Sequence, residues 1–527
     1  VVTADRLVDE GCRLIEHARE SGEWEQQRRR RQGPVELATE PLREIFASAE
    51  SDLIRKTKGH YPAPLVALRT IKEGCTLPLA EGLKVERSAA LEVMGTPIAA
   101  NLIALFFMKQ RLGRDSGVAD PDVVARQVQR VGVLGAGLMG SGIAAAHARR
   151  GIPTAMADLD QQRIEDGLAR AKEMVARRIG IGRAKPQDLD DMLSKLSTST
   201  AHEIFAGCDL VVEAITEDPA LKTETYQALA GVLGGDAILA SNTSTLSITR
   251  LAKSAPRADR FIGLHFFNPV DRMQLVEVVR GDHTSDETVA TTVALAKRIG
   301  KTPIVVRDGP GFLVNRILFP YLNEAVLLLL EGASMDAIDL AATRFGMPMG
   351  PLLLLDVIGL DTVCRANDVL IEAYGDRVDP LPILADLVRQ GRLGQKSGAG
   401  FRKYDAGQSQ GTADPGFQPI VERHQADIRP ISDDEITDRL FLPMLLEATR
   451  VLDEKIAREP ADVDMGLILG IGFPAFRGGI LRWCDTEGAD EVLRRLERNT
   501  TRGKRFEPTD RLRQLAHSAG QFYPQPK

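Results

Sequence analysis

A glycine-rich segment near residue 135 constrains the fold more than any other feature of the chain. Gly135-x-Gly137-x-x-Gly140 follows the apolar run RVGVL and opens the small-residue run SGIAAAHA. Asp158 ends the next apolar run, 23 residues after Gly135. A strand, a tight turn and a helix in this order predict a βαβ unit. Apolar runs continue to alternate with helical patterns as far as Arg307, which predicts a mostly parallel, doubly wound sheet. The candidate strands are RVGVLGA, TAMAD, LVVEA, AILAS, FIGLHFF and TPIVVR.

The same turn has the chemistry of a dinucleotide site. Gly135 permits the turn, Gly137 lets the backbone approach a pyrophosphate, and Gly140 allows close packing of helix on strand. The helix N-terminus offers free N–H groups to phosphates. Asp158 can accept hydrogen bonds from ribose hydroxyls, and its charge would repel a 2′-phosphate; Leu159 follows where an NADP enzyme often has a basic residue. The motif therefore indicates a Rossmann-type domain and favours NAD over NADP. The alternative is a glycine turn without a ligand.

Composition excludes several classes of protein. The 527 residues predict two to four domains, and 43% hydrophobic with 27% charged residues is ordinary for a globular protein. A net charge of −6 gives no general affinity for nucleic acid or acidic membranes. The basic block Arg28–Arg31 follows Glu23 and Glu25, and is more typical of a solvated face than of a binding patch.

The five cysteines lie far apart and show no metal-ligand spacing, so we expect free thiols in a reducing compartment and no metal site. No apolar run approaches the roughly 18 residues that a membrane span needs. The chain opens on Val1-Val2 without a signal pattern, from which we expect a fragment of a longer protein. Its end, QPK, differs from the peroxisomal tripeptide SKL. A bacterial cytoplasmic location is the expectation.

The first 120 or so residues have helical patterns only, with amphipathic stretches at Arg6–Ala18, Leu42–Thr57 and Leu91–Leu112. Two prolines in Lys58–Pro64 predict a turn or an extended crossing. Asp115–Pro121 is a candidate linker. The predicted domains are a helical region at 1–120, the dinucleotide domain at 127–307, and two helical domains at 308–407 and 430–527.

An internal repeat supports the division of the helical tail. Its two copies are joined by a polar linker around Asp405–Gln418, and chance similarity is the alternative. The offset grows from 123 to 126 residues between these matching segments: Asn315–Pro320 with Asp438–Pro443, Glu324 with Glu447, and Gly346–Pro348 with Gly472–Pro474.

Polar residues at strand ends are the candidates for chemistry. SNTS (Ser241–Ser244) and HFFNP (His265–Pro269) each follow a predicted strand, and the carboxyl ends of parallel strands face the cofactor crevice. A lone histidine there is more often a core residue. Glu277, however, follows in QLVEVV at a spacing that lets a second strand or helix return beside His265.

Over residues 127–527 the chain resembles the 3-hydroxyacyl-CoA dehydrogenase family, through the motifs GAGLMGSGI, VVEAITED, SNTS, HFFNPV, LVEVV, GPGFLVNRIL and GMPMGP. The resemblance implies NAD-dependent oxidation of (S)-3-hydroxyacyl-CoA in fatty-acid β-oxidation. It also implies that His265 and Glu277 form the catalytic pair and that Ser244 and Asn315 contact the substrate. Cofactor contacts carry over to Glu217 and Lys222, and to the glycine turn with Leu138 and Met139.

These residue types suit the reaction. Imidazole titrates near neutral pH, so His265 is the natural base for the hydroxyl proton, and Glu277 would fix its tautomer. Ser244 and Asn315 can hydrogen-bond the reacting oxygen. The second repeat has Asp438 in place of Asn315, so only the first repeat is expected to contribute to catalysis.

The N-terminal segment, through GHYPAP, EGLKVE and NLIALFF, resembles the end of the hydratase (crotonase) half and the linker helix of multifunctional β-oxidation enzymes. That resemblance implies a parent that hydrates 2-enoyl-CoA, but no hydratase catalytic motif is present in this chain. Two alternatives stay open. One is a hydroxy-acid dehydrogenase, which typically has a lysine base; the other is a silent scaffold that docks a thiolase subunit.

Overall fold

The computed structural model describes residues 2–35, 39–405 and 407–524. It divides into two units, one ending at Ile103 and the other beginning at Ala104. The linker predicted at Asp405–Gln418 includes residue 406, and the terminal QPK falls at 525–527; both positions lie outside the described residues.

Helices account for the regular structure of the first unit as far as it is described. They are α1 (Leu7–Ser21), α2 (Glu23–Gln32), α3 (Thr39–Thr57), α4 (Pro62–Gly74), α5 (Leu79–Met94) and the start of α6 (Pro97–Arg114). α4 packs closely on α5, because Gly74 and Gly82 let the two backbones approach each other: a Cβ on Gly82 would lie 3.4 Å from the Gly74 oxygen. The arginines of α2 are exposed, as expected for a solvated face.

Two local predictions in this region are wrong in part. The helical stretch predicted at Leu91–Leu112 is divided between two helices, since α5 ends at Met94 and Pro97 starts α6. The turn predicted at Lys58–Pro64 is present at residues 58–61, but its prolines begin a helix rather than exclude one. Pro62 and Pro64 lie in the first turn of α4, where the missing N–H removes no helical hydrogen bond.

No single helix in the described ranges is long and apolar enough to cross a bilayer. The pair α5 and α6 passes a test of length and composition together, but it is bent by 75° at its break.

Eight strands form one sheet in the second unit, in the order β3-β2-β1-β4-β5-β6-β7-β8. All neighbours are parallel except β6 and β7. The order 3-2-1-4-5-6 is that of the doubly wound dinucleotide fold, which confirms the predicted class. The strands are β1 (Val131–Leu134), β2 (Thr154–Ala157), β3 (Leu196–Ser199), β4 (Leu210–Glu213), β5 (Ile238–Ser241), β6 (Phe261–Phe266), β7 (Leu275–Arg280) and β8 (Thr302–Arg307).

Helices cover the sheet, and the strands that lead to the cofactor edge (β1, β4, β5 and β6) are buried throughout. Burial on both faces explains why these strands read as continuous apolar runs rather than alternating ones. The helices within this region are α7 (Leu138–Ala148), α8 (Gln161–Gly180), α9 (Gln187–Ser194), α10 (Pro219–Ala230), α11 (Ile248–Leu251) and α12 (Asp286–Arg298).

Helices form most of the regular structure in the rest of the described chain, in two related sets, beside isolated β-bridges between residues 394 and 412. The first set is α13 (Val314–Leu330), α14 (Met335–Phe345), α15 (Pro351–Ile358), α16 (Leu360–Tyr374), α17 (Pro382–Arg389) and α18 (Gln418–His424). The second is α19 (Asp433–Asp453), α20 (Pro460–Ile471), α21 (Ile480–Glu487), α22 (Ala489–Glu497) and α23 (Asp510–Ser518). α13 packs along α19, and Gly346 and Gly472 end α14 and α20 in the same left-handed conformation.

Reciprocal ion pairs join the two sets. Arg316 of α13 donates from Nε to Glu447 of α19 (3.0 Å) and from its terminal nitrogens to Glu454 (2.6 and 2.7 Å). Arg316 and its counterpart in the second set, Arg439, are both buried. The counterpart Arg439 makes the same two contacts in the opposite direction, with Glu324 (2.8 Å) and Glu331 (2.7 and 2.8 Å).

Candidate active site

The glycine turn after β1 forms a cradle that side chains would fill. Gly135 has φ +103°, and a Cβ there would lie 2.6 Å from the Ala214 oxygen. A Cβ on Gly140 would lie 1.8 Å from the Gly135 oxygen, so this position requires glycine for packing of α7 on the turn. Nothing lies within 4 Å of a Cβ on Gly137, which faces open space at the start of α7. This geometry fits a pyrophosphate approaching the backbone.

Asp158 follows β2 at the same edge of the sheet. Its Oδ2 accepts a hydrogen bond from the Ala136 amide (2.8 Å), so the carboxylate also holds the glycine turn. Oδ1 lies 3.9 Å from the exposed guanidinium of Arg163. Leu159 and Leu138 are largely exposed beside the turn, and Met139 is half-buried. Exposed apolar side chains are therefore available beside the turn and beside Asp158.

Glu217 faces the loop that follows β5. Its Oε1 accepts hydrogen bonds from the Thr243 hydroxyl (2.6 Å) and from the amides of Ser244 (2.8 Å) and Thr245 (3.3 Å). Lys222 lies 3.6 Å from its other oxygen. The lysine side chain is only 1% exposed. Both residues thus lie at the expected edge, but Lys222 points into the protein.

A buried polar cluster beneath this loop escaped the sequence analysis. Glu213, at the end of β4, accepts hydrogen bonds from Lys222 (2.6 Å), Tyr226 (2.7 Å), Ser241 (2.8 Å) and the Ile215 amide (2.9 Å). Burial and the neighbouring Glu213 raise the pKa of the Tyr226 phenol, which keeps its proton and donates. The cluster fixes the carboxyl ends of β4 and β5. Its signal was a charged residue within the otherwise apolar run LVVEA.

His265 and Glu277 pair across the antiparallel strands β6 and β7, where they are directly opposite each other. The distance from His265 Nδ1 to Glu277 Oε2 is 2.6 Å. A carboxylate partner places the proton on Nδ1 and leaves Nε2 free to accept one. The rings of Phe267 and Phe312 flank the imidazole, with centroids at 4.5 and 5.8 Å.

The second oxygen of Glu277 reaches the helical region. Its Oε1 accepts hydrogen bonds from the amides of Leu313 (3.2 Å) and Val314 (2.9 Å), at the start of α13. The carboxylate is completely buried, and these donors satisfy it there. One side chain thus orients the histidine and holds the helix that carries Asn315.

Ser244 and Asn315 come together at this edge. The side-chain amide of Asn315 donates to the backbone oxygen of Ser244 (3.4 Å), and both residues are half-buried. Asn242 belongs to the SNTS segment but was not predicted as a site residue. It accepts a hydrogen bond from the Phe266 amide (2.9 Å) and so connects the ends of β5 and β6. Among the residues described, no group of three or more His, Cys, Asp or Glu side chains is arranged to hold a metal ion.

Comparison with known proteins agrees with this geometry. The sequence profile of the 3-hydroxyacyl-CoA dehydrogenase NAD binding domain matches residues 130–309, and that of the C-terminal domain matches 311–404 and 436–521. The chain belongs to the 3-hydroxyacyl-CoA dehydrogenase family. The second match to the C-terminal profile covers the second helical set.

Relatives include the fatty acid oxidation complex subunit alpha of Psychrobacter sp. (strain PRwf-1), 38% identical over 509 residues, which are 95% of this chain and 70% of that protein. Among solved structures, 3-hydroxybutyryl-CoA dehydrogenase from Escherichia coli K12 is 28% identical, with a TM-score of 0.66. The match covers 75% of this chain and 99% of that structure. The dehydrogenase part of multifunctional enzyme 1 from C. elegans is 27% identical, with a TM-score of 0.58, and the match covers 79% of this chain and 98% of that structure.

The family and its relatives establish the activity class. The chain is an NAD-dependent 3-hydroxyacyl-CoA dehydrogenase of fatty-acid oxidation. The eight-stranded sheet and the helices that cover it form the NAD-binding domain.

Proposed function

We propose that this site oxidises the (S)-3-hydroxyl group of an acyl-CoA, with His265 as the proton acceptor and Glu277 as its orienting partner. Ser244 and Asn315 bind the reacting oxygen. The observation that carries the proposal is the 2.6 Å pair of His265 and Glu277 at the edge where the Ser244 loop and Asn315 also lie. The hydroxy-acid dehydrogenases considered above typically use a lysine base. The base in this pair is a histidine, which favours the 3-hydroxyacyl-CoA dehydrogenase reaction.

The proton moves along a short path. His265 Nε2 takes the hydroxyl proton, and the nearby carboxylate of Glu277 stabilises the imidazolium that forms. The Ser244 hydroxyl and the Asn315 amide then donate to the oxygen as it becomes a ketone, and hold the carbon in place. The bound nicotinamide supplies the hydride acceptor. Phe267 and Phe312 exclude water from the sides of the imidazole.

The cofactor would lie on the glycine turn. Gly137 offers the open backbone, Gly135 and Gly140 shape the turn, and Asp158 would accept hydrogen bonds from the ribose hydroxyls. Leu138 and Met139 would contact the dinucleotide from the start of α7. We assign Glu217 to the cofactor side of the same crevice, where its hydrogen bonds hold the Ser244 loop. Lys222 would act through the two carboxylates that it pairs with, Glu213 and Glu217, because its side chain is buried.

We also propose that the chain works in a bacterial cytoplasmic multienzyme complex with a thiolase subunit. In this proposal it is the dehydrogenase part of a longer protein that is also an enoyl-CoA hydratase. The name of the Psychrobacter relative supports an assembly for fatty-acid oxidation. The five free cysteines suit a reducing compartment. Co-purification of a tagged chain with a thiolase that cleaves 3-ketoacyl-CoA would support the assembly; a chain that elutes alone from the native host would contradict it.

The test of the catalytic assignment is NADH oxidation with acetoacetyl-CoA. His265→Ala should lose roughly 10²–10⁴-fold in kcat, the usual contribution of a general acid–base residue. His283→Ala, an exposed histidine in the turn after β7, is the matched control and should keep wild-type activity. No turnover by the wild type would contradict the proposed use of this site with 3-ketoacyl-CoA substrates. A fully active His265→Ala would remove His265 as the base.

A further inference from the structure

Two irregular segments, neither of them part of a strand or helix, meet at the active-site edge. One is the loop from Asn242 to Ser247, which carries Ser244. The other is the linker from Asp308 to Leu313, which leads from β8 to the helix that carries Asn315. The relative position of these segments sets the distance between the two residues proposed to bind the reacting oxygen.

A single carboxylate joins the two segments. Asp308 accepts a hydrogen bond from the Ser247 hydroxyl (2.7 Å) and from the amides of Ile248 (3.0 Å) and Thr249 (2.9 Å). These are the donors at the start of the short helix α11, directly after the Ser244 loop. The backbone amide of Asp308 donates to the Arg280 oxygen (2.9 Å), which fixes the residue to the end of β7.

The linker beyond Asp308 is too tightly folded to absorb a shift. The Phe312 amide donates to the Gly309 oxygen (2.9 Å), and the Arg316 amide donates to the Gly311 oxygen (3.0 Å). Gly311 has φ +74°, and a Cβ there would lie 3.0 Å from the Arg316 nitrogen. Phe312 itself has φ +51° and is buried. A displacement at Asp308 is therefore passed on to the start of α13.

We propose that Asp308 is a positioning residue: it sets the Ser244 loop against the linker so that Ser244 and Asn315 converge on one substrate oxygen. This role rests on the proposed function of those two residues. Asp308 acts through the Ser247 hydroxyl and two backbone amides, so it positions the loop rather than binding the substrate. Misplacement of a catalytic group by about 1 Å can cost up to about 10²-fold in rate, so loss of the anchor should appear mainly in kcat.

A matched control lies at the opposite edge of the sheet. Asp209, just before β4, accepts hydrogen bonds from the backbone amides of Gln129 (2.6 Å) and Arg130 (2.9 Å). It anchors one backbone segment to another through a carboxylate, as Asp308 does, but at the amino ends of the strands. Its loss should lower stability without moving the active-site residues.

The experiment compares Asp308→Ala, Asp308→Asn and Asp209→Ala with the wild type in the full chain. Asp308→Ala should lose about 10- to 10²-fold in kcat with acetoacetyl-CoA and keep its affinity for NADH. Asp308→Asn keeps one acceptor oxygen and should fall between Asp308→Ala and the wild type; it carries the test if the alanine variant does not fold. Asp209→Ala should keep kcat within about twofold while its Tm falls.

Two outcomes would overturn the proposal: an Asp308→Ala or Asp308→Asn enzyme with wild-type kcat, or equal losses of kcat in the Asp308 and Asp209 variants. Hydrogen exchange separates this failure from failure of the proposed function. Exchange at the amides of Ile248 and Thr249 should be faster in Asp308→Ala than in the wild type, whether or not the chain turns over acetoacetyl-CoA. Unchanged exchange there would show that Asp308 is not the anchor.

Discussion

The two helical sets have the same plan but different chemistry. α13 and α19 share a buried arginine in the same position, and each arginine binds carboxylates of the other set. One residue before the arginine, the first set has Asn315 facing Ser244, whereas the second has Asp438 bound to Arg495 (2.8 Å). Both sets contribute an arginine to the buried interface between them, but only Asn315 of the first set is hydrogen-bonded to the Ser244 loop.

A second difference concerns a buried aspartate. Asp339 of the first set accepts hydrogen bonds from the Leu352 amide (3.0 Å) and the Arg402 guanidinium (2.9 Å). Its counterpart Asp464 accepts from the Leu481 amide (2.8 Å) and from a phenol, Tyr523 (2.7 Å). Burial raises the pKa of both carboxyl groups, and it raises the pKa of Asp464 to about 7; at Asp339 the hydrogen bond from the Arg402 guanidinium opposes this effect. The second set therefore holds a carboxyl group that titrates near neutral pH.

The largest effect tests the shared interface. Arg316→Met and Arg439→Met should each lower the free energy of unfolding by about 3 kcal/mol, because each removes a buried cation that binds two carboxylates of the other set. Glu447 keeps Arg450 and Glu324 keeps Arg505 as partners, so the buried charge is still partly compensated. Chemical denaturation measures the loss. Since the two arginines make equivalent contacts, the two losses should be similar. A large loss for one variant only would break the symmetry between the sets.

The next effect tests the catalytic difference. Asn315→Asp gives the first set the residue of the second and replaces the amide donor with an acceptor that repels the Ser244 oxygen. We expect a loss of about 10²-fold in kcat with acetoacetyl-CoA, the scale of removing one oxygen-binding donor. The reciprocal change Asp438→Asn should leave kcat unaltered. If Asp438→Asn also lowered kcat, the second set would contribute to catalysis.

The smallest effect concerns pH. Burial raises the pKa of Asp464 in the folded protein above 3.8, the ordinary value of an aspartate, so the folded state holds a proton that the unfolded chain releases. Stability from this group is thus present at low pH and is lost as the pH rises from about 4 to about 7. Asp464→Asn keeps the acceptor for Leu481 and should flatten the fall of Tm over that range.

Asp339→Asn sharpens the same measurement. The hydrogen bond from Arg402 opposes the effect of burial on the pKa of Asp339, so this variant should change the pH dependence of Tm less than Asp464→Asn does. A larger change at Asp339 would contradict the assignment of the neutral-pH carboxyl group to the second set.

The sequence predicted the parts of the fold that depend on local pattern. The glycine turn, Asp158 and the buried strands are visible because their spacing and apolar runs follow directly from backbone geometry. β3, Leu196–Ser199, is short, polar and partly exposed, and it forms only because β2 offers a pairing edge. β7 was undecided between strand and helix, and its antiparallel pairing with β6 decides it.

The site was predicted in the same uneven way. The motifs that carry the family resemblance named His265, Glu277, Ser244 and Asn315, and the structure brings these four to one edge. The tertiary hydrogen bonds of Glu213, Asn242 and Asp308 join residues far apart in sequence, and no local pattern encodes such contacts. A polar residue at the end of an apolar strand is the signal that could have directed attention to them.

The carboxylate of Glu277 couples the orientation of the catalytic base to the docking of the helical part. One of its oxygens holds the imidazole and the other holds the first amides of α13, so the base is correctly oriented only when the helical part is in place. Catalytic competence of the base is therefore coupled to the docking of α13 on the sheet.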